Sequence, residues 1–159
     1  MTQKQTRSLS IRELMPLVEE ELAQGKEVLL PVKGSSMVPF LYNGRDSIYL
    51  CAPQQKRFRA GDLVMFRRKD GSYAMHRIYR VNGDGSYDIV GDNQIACDKA
   101  ITHEMIKAYV PRVIRDGKEI DCTQGAWRAL MVKYMKLRIA HPQLTRRLVA
   151  MERKILRKQ

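Results

Sequence analysis

A mainly β fold is predicted: a coiled antiparallel sheet with one helix before it and two basic helices after it. Short apolar runs follow one another between residues 27 and 122, and turns carrying glycine separate them. Helical periodicity is confined to the two ends of the chain. Strands arriving in hairpin succession favour antiparallel pairing over a parallel, helix-connected sheet.

Each element has its own signal. Ser10 followed by Glu13 makes a capping box, and Ile11, Leu14, Met15, Val18 and Leu22 recur at helical spacing until Gly25 stops the run. Glu27–Lys33 reads as a buried strand, 34–41 as a turn with a short helix, and Asp46–Cys51 as the next strand. Gln54–Ala60 is polar, basic and preceded by Pro53, so it reads as a loop. Asp62–Arg68 and Tyr73–Val81 flank Asp70-Gly71, a strong hairpin dipeptide. Gly83-Asp84-Gly85 turns into Tyr87–Val90, and Asp116-Gly117 joins Tyr109–Ile114 to Glu119–Cys122. Beyond Gln124 the period changes. Trp127, Leu130, Met131, Tyr134 and Leu137 keep helical spacing, and Pro142 opens a second run through Leu144, Leu148, Met151 and Ile155. The expected organisation is a β domain over 1–124 and a helical tail over 125–159, packed on that domain or appended to it.

Composition limits the function classes. The 159 residues suit one domain that can bury a sizeable core, and an apolar fraction of 44% is ordinary for a globular protein. No stretch approaches the ~18–20 consecutive apolar residues of a membrane span. The N-terminus leads into Glu13, Glu19, Glu20 and Glu21 and not into an apolar signal core, which predicts a cytoplasmic protein. Cys51, Cys97 and Cys122 are far apart without C-x-x-C spacing, so they read as reduced structural thiols. His76, His103 and His141 form no ligand pair at metal-binding spacing, and neither a metal nor a cofactor is expected.

The net charge of +12 is uneven: residues 125–159 hold ten Lys/Arg against Glu152 alone, a local charge of +9. Three partners fit such a tail. Its apolar stripe packs on the β domain and leaves a solvated basic face, or it docks on an anionic membrane surface and holds the protein at the inner face of the membrane. Nucleic acid is the less favoured third, because no base-reading motif accompanies the charge.

The chemistry concentrates in Gly34-Ser35-Ser36-Met37-Val38-Pro39, in Tyr73-Ala74-Met75-His76-Arg77-Ile78 and in Gly91-Asp92-Asn93-Gln94. A serine, a histidine and an aspartate are the parts of an acyl-transfer site: nucleophile, general base, and a carboxylate that fixes the imidazole tautomer. With Gly61-Asp62-Leu63-Val64-Met65-Phe66, these segments resemble the signal peptidase I superfamily, which also holds the self-cleaving SOS-repressor-type (LexA-like) peptidases. The resemblance covers about residues 28–112. It implies the coiled β-sheet fold of that superfamily, Ser36 as nucleophile, and His76 where endoplasmic-reticulum and archaeal members carry histidine and bacterial ones lysine. It implies an oxyanion hole at the Ser36 N–H with Ser35, and a substrate path bordered by Gly34 and Met37. Gly34 stands where many signal peptidases place a serine hydroxyl; organelle-type and repressor-type relatives have glycine there. Asp98 follows Asp92 by six positions, as in histidine-type members; Asp98 is favoured as the orienter of His76, with Asp92 in support, and both stay candidates. Specificity in the superfamily comes from shallow pockets for small side chains.

The expected function is a soluble serine endopeptidase acting in trans on a peptide or protein precursor. Self-cleavage is disfavoured because the one Ala-Gly pair, Ala60-Gly61, lies inside a strand turn. The alternative is a non-catalytic module of the same fold that holds a peptide partner, an anionic membrane or nucleic acid.

Overall fold

Runs rich in Val, Ile, Tyr and Phe fit a pleated, half-buried surface, and among the described residues nine strands, most of them such runs, pair into two antiparallel sheets. The computed structural model describes residues 9–54, 56–144, 147, 150, 151 and 154. In chain order the strands are β1 (Val28–Pro31), β2 (Asp46–Leu50), β3 (Leu63–Arg67), β4 (Tyr73–Val81), β5 (Tyr87–Val90), β6 (Cys97–Ile101), β7 (Ile106–Tyr109), β8 (Arg112–Arg115) and β9 (Lys118–Asp121). One sheet has the order β1-β2-β8-β9 and the other β6-β5-β4-β3-β7. Neither closes into a barrel. A bridge between Cys51 and Tyr109, with N–H···O distances of 2.9 and 3.0 Å, ties the end of β2 to the end of β7.

Helix α1 (Ile11–Ala23) begins with the capping box: Ser10 Oγ accepts from Glu13 N–H at 3.3 Å and Glu13 Oε2 accepts from Ser10 N–H at 2.9 Å. Its Met15, Val18 and Leu22 are buried in a core shared with Ile48, Leu50, Met65 and Val113 of both sheets. A second cluster, around Phe66, Ile78, Ile89 and Ile106, lies within the five-stranded sheet's own hairpins.

Helix α2 (Gly125–Ala140) is no detached tail. Phe40 receives Trp127 and Tyr134 edge-on, with ring centroids 5.6 and 5.1 Å away. Arg128 donates to Asp62 Oδ1 at 2.8 Å and to the Ala60 carbonyl at 2.7 Å. Between these two residues Gly61 has φ +96°, and a Cβ there would stand 2.4 Å from Val132 Cγ2. Only glycine lets the helix come this close. The buried face runs through Arg128, Met131, Met135 and Arg138, whereas Leu130 (53%) and Leu137 (49%), expected in the apolar stripe, are exposed. Two of the arginines counted toward the basic tail are therefore internal fastenings.

Three further expectations differ from the structure. Residues 34–41 form successive turns and not a short helix. The expected strand Tyr109–Ile114 divides at Val110-Pro111: Tyr109 ends β7 in one sheet and Arg112–Ile114 belong to β8 in the other, because proline has no N–H to continue a ladder. β6 was absent from the sequence reading: Cys97–Ile101 shows no alternation, and Ala100 has a positive φ of 53°. Of the second tail helix, Pro142, Gln143 and Leu144 are helical, while Leu148 and Ile155 lie outside the described residues. Among the described residues no helix is long and apolar enough to cross a membrane.

Candidate active site

Ser36 lies in the long connection from β1 to β2, and the Gly91-Asp92-Asn93 turn holds that connection in place. Asn93 N–H donates to the Ser36 carbonyl at 2.8 Å, and Asn93 Nδ2 donates to the Ser35 carbonyl at 3.1 Å. Gly91 allows the approach, since a Cβ there would meet Ser36 O at 2.8 Å. From the other side Arg138 of α2 donates to the Gly91 carbonyl at 2.6 Å. The carbonyls of residues 35 and 36 are thus anchored, while the N–H groups of Ser35 and Ser36 donate to no acceptor among the described residues. Those are the two donors expected to face an oxyanion.

His76 sits in β4 opposite Val64 of β3, only 2% exposed, with the Phe66 ring 5.9 Å away. Strand alternation sends its neighbour Arg77 to the opposite side. There the guanidinium, 1% exposed, donates Nε to Asp92 Oδ1 at 3.0 Å, Nη2 to Asp92 Oδ2 at 2.7 Å and Nη1 to the Gly61 carbonyl at 3.0 Å. Asp92 is also 1% exposed, and its carboxylate is committed to Arg77. The aspartate of the G-D-N turn thus bonds the strand that carries His76 instead of the imidazole itself.

The carboxylate beside the imidazole is Asp98. It pairs through Ile89 to Ile78, two residues along β4 from His76 and on the same face. His76 Nδ1 lies 3.4 Å from Asp98 Oδ2, at ion-pair distance but outside hydrogen-bond geometry, and has no other polar partner among the described residues. Asp98 is gripped from behind by Arg68, whose Nε and Nη2 donate to its two oxygens at 2.6 and 2.8 Å. Burial works against ionising Asp98, yet these bonds hold its carboxyl below the usual range. Burial pushes the His76 imidazole below its ordinary value, Asp98 pulls it upward, and the Arg68 charge pushes it down again.

Ser36 and His76 share the wall of one cavity of about 630 Å³, to which Arg68 and Gln94 also contribute. With Nδ1 turned to Asp98, Nε2 is the ring nitrogen left for the cavity. Ser36 is half-buried, and no hydrogen bond joins it to His76 among the described residues. Gly34, in an exposed turn with φ +79°, and Met37, buried in the core, are not among the cavity's lining residues. Space around Gly34 is open, so backbone conformation and not crowding accounts for glycine there. Among the described residues no group of three His, Cys, Asp or Glu side chains is arranged to hold a metal ion. No protein-family model and no curated protein matches the chain.

Sequence reading missed Arg68, Arg77, Asn93 and Arg138. Arg77 had a usable signal: on a strand whose alternate residues face opposite sides, an arginine next to an inward histidine must either reach solvent or find an acid.

Two outcomes are expected. Removing one partner of the Arg77–Asp92 pair leaves an uncompensated buried charge, so Asp92→Leu lowers unfolding free energy by about 3–5 kcal/mol in urea titrations. The Arg77→Met/Asp92→Leu double variant loses less than Asp92→Leu alone. Histidine NMR titration finds His76 protonating below 6.5, and Arg68→Met moves that midpoint upward. The unfolded imidazole takes its proton near 6.5. The contribution of this group to stability is therefore complete above that pH and is lost as pH falls toward the lower folded midpoint.

Proposed function

We propose that the protein is a serine peptidase of the signal-peptidase-like kind, cleaving a peptide or protein substrate in trans. The observation that carries this reading is the shared cavity wall of Ser36 and His76, with Asp98 lying 3.4 Å behind the imidazole. These three groups supply the roles acyl transfer needs.

In acylation, Ser36 Oγ bonds to the substrate carbonyl carbon as His76 Nε2 takes the hydroxyl proton. The carbonyl oxygen becomes an oxyanion and receives the N–H groups of Ser36 and Ser35. His76 then returns the proton to the leaving amine as the C–N bond breaks. Water attacks the resulting ester, its proton passing through the same imidazole, and the acid product leaves.

The electrostatics suit a histidine base. A lowered pKa keeps His76 neutral near pH 7, the form able to accept a proton. When the imidazolium forms, its attraction to Asp98 grows and shortens the Nδ1···Oδ2 gap. Arg68 keeps Asp98 ionised and stationary, but its own charge limits how far the carboxylate raises the imidazole. Asp92 supports the site through the backbone, by fixing the turn that grips the Ser36 loop.

Incubation with a mixed peptide library, read by mass spectrometry, tests the reading. Cleavage by the unaltered protein falls at least about a thousandfold in Ser36→Ala and His76→Ala, with circular dichroism unchanged. Asp98→Asn falls by a comparable or smaller factor, and rates decline as pH falls to the His76 midpoint, which burial places below the ordinary histidine value, because the base then becomes protonated. A Ser36→Ala protein that cleaves as well as the parent contradicts the reading.

A further inference from the structure

The cavity that receives Ser36 and His76 is much larger than shallow pockets for small side chains require. Its volume is about 630 Å³, in the middle of the roughly 300–1,000 Å³ typical of ligand pockets. An apolar cavity of about 150 Å³ already admits benzene. Apart from the catalytic pair, its walls are chiefly Leu14, Leu30, Val32, Ile48, Met65 and Met75, brought together from α1, both sheets and the β1–β2 connection. The first turn of α1 closes one side, with Leu9 and Ile11 at the rim. Lys33 and Arg68 are its charged lining residues, Arg68 is already bound to Asp98, and among the described residues no carboxylate lines the wall. A basic side chain entering this space meets no carboxylate among these lining residues; an aliphatic or aromatic one finds a wall of matching chemistry.

We infer that this cavity is a specificity pocket for a bulky apolar side chain, Leu, Met or Phe, of the peptide whose carbonyl Ser36 attacks. The assignment rests on the peptidase reading and deepens it. Continuity decides the occupant: the wall that carries the nucleophile and base is the wall of the pocket, so a residue near the scissile bond fills it. α1 is then part of the substrate-binding surface as well as of the core.

A positional-scanning peptide library cleaved by the full chain tests this. One position within a few residues of the cut favours Leu, Met or Phe over Ala by at least about tenfold, since each added methylene in such a pocket is worth about 10- to 200-fold. Lys and Arg are poor at that position. Leu30→Trp and Leu14→Trp fill the pocket from β1 and from α1, and each reduces the preference to under about threefold while alanine-bearing peptides are still cut. Two walls guard against one variant failing to fold. A preference for Ala, Gly or Ser at every position overturns the pocket assignment, as does a bulky preference that both tryptophans leave unchanged; in either case cleavage that still requires Ser36 leaves the peptidase reading intact. No cleavage of any peptide overturns the assignment too. Reaction with a fluorophosphonate then separates the causes: an adduct on Ser36 leaves the nucleophile standing, and no adduct removes the peptidase reading with it.

Discussion

The buried pair Arg77–Asp92 is the interaction on which the rest of the site depends. Arg77 follows His76 on β4, Asp92 belongs to the turn that holds the Ser36 loop, and a third guanidinium bond reaches the Gly61 carbonyl beside the α2 docking point. One side chain therefore sets the His76 strand, the Ser36 loop and the C-terminal helix relative to one another. A buried ion pair contributes little net stability compared with apolar residues of similar volume, but it is intolerant of misregister. Its value here is geometric: a displaced turn would carry the carbonyls of Ser35 and Ser36 away from the wall that His76 occupies.

Around that anchor the site separates its charges. Two carboxylates and two guanidiniums stand near one imidazole, yet they pair as Arg77–Asp92 and Arg68–Asp98 and leave His76 uncharged. The two pairs differ in exposure. Arg77–Asp92 is sealed, while Asp98 is partly open and is held beside the ring by Arg68. The arrangement leaves the imidazole able to accept a proton and sets a carboxylate beside it, the roles the proposed peptidase would require.

Much of the fold was legible because its signals are local. The Ser10–Glu13 capping box and the hairpin at Asp70-Gly71 each depend on a few adjacent residues, and they lie where the sequence places them. β6 was not legible, since its only pattern is pairing to β5, and neither was the division of the expected strand Tyr109–Ile114 between two sheets. The exposed Leu130 and Leu137 show the same limit: helical spacing identifies the element, but the face it buries depends on what lies beneath, here Phe40, Asp62 and Gly91. At the site, motif spacing nominated Ser36, His76 and both aspartates. The division of labour between Asp92 and Asp98 came from Arg68 and Arg77, whose partners lie 30 and 15 residues away. Met37, expected beside the substrate, was drawn into the core by its own hydrophobicity.

The central claim is that Ser36 is a nucleophile activated by His76. Mass-spectrometric peptide mapping after exposure to a fluorophosphonate at neutral pH addresses it without knowledge of the natural substrate. The account predicts one adduct, on Ser36, forming in the unaltered protein and nearly abolished in a folded His76→Ala variant. Absence of that adduct, or its formation at the same rate without the imidazole, contradicts it.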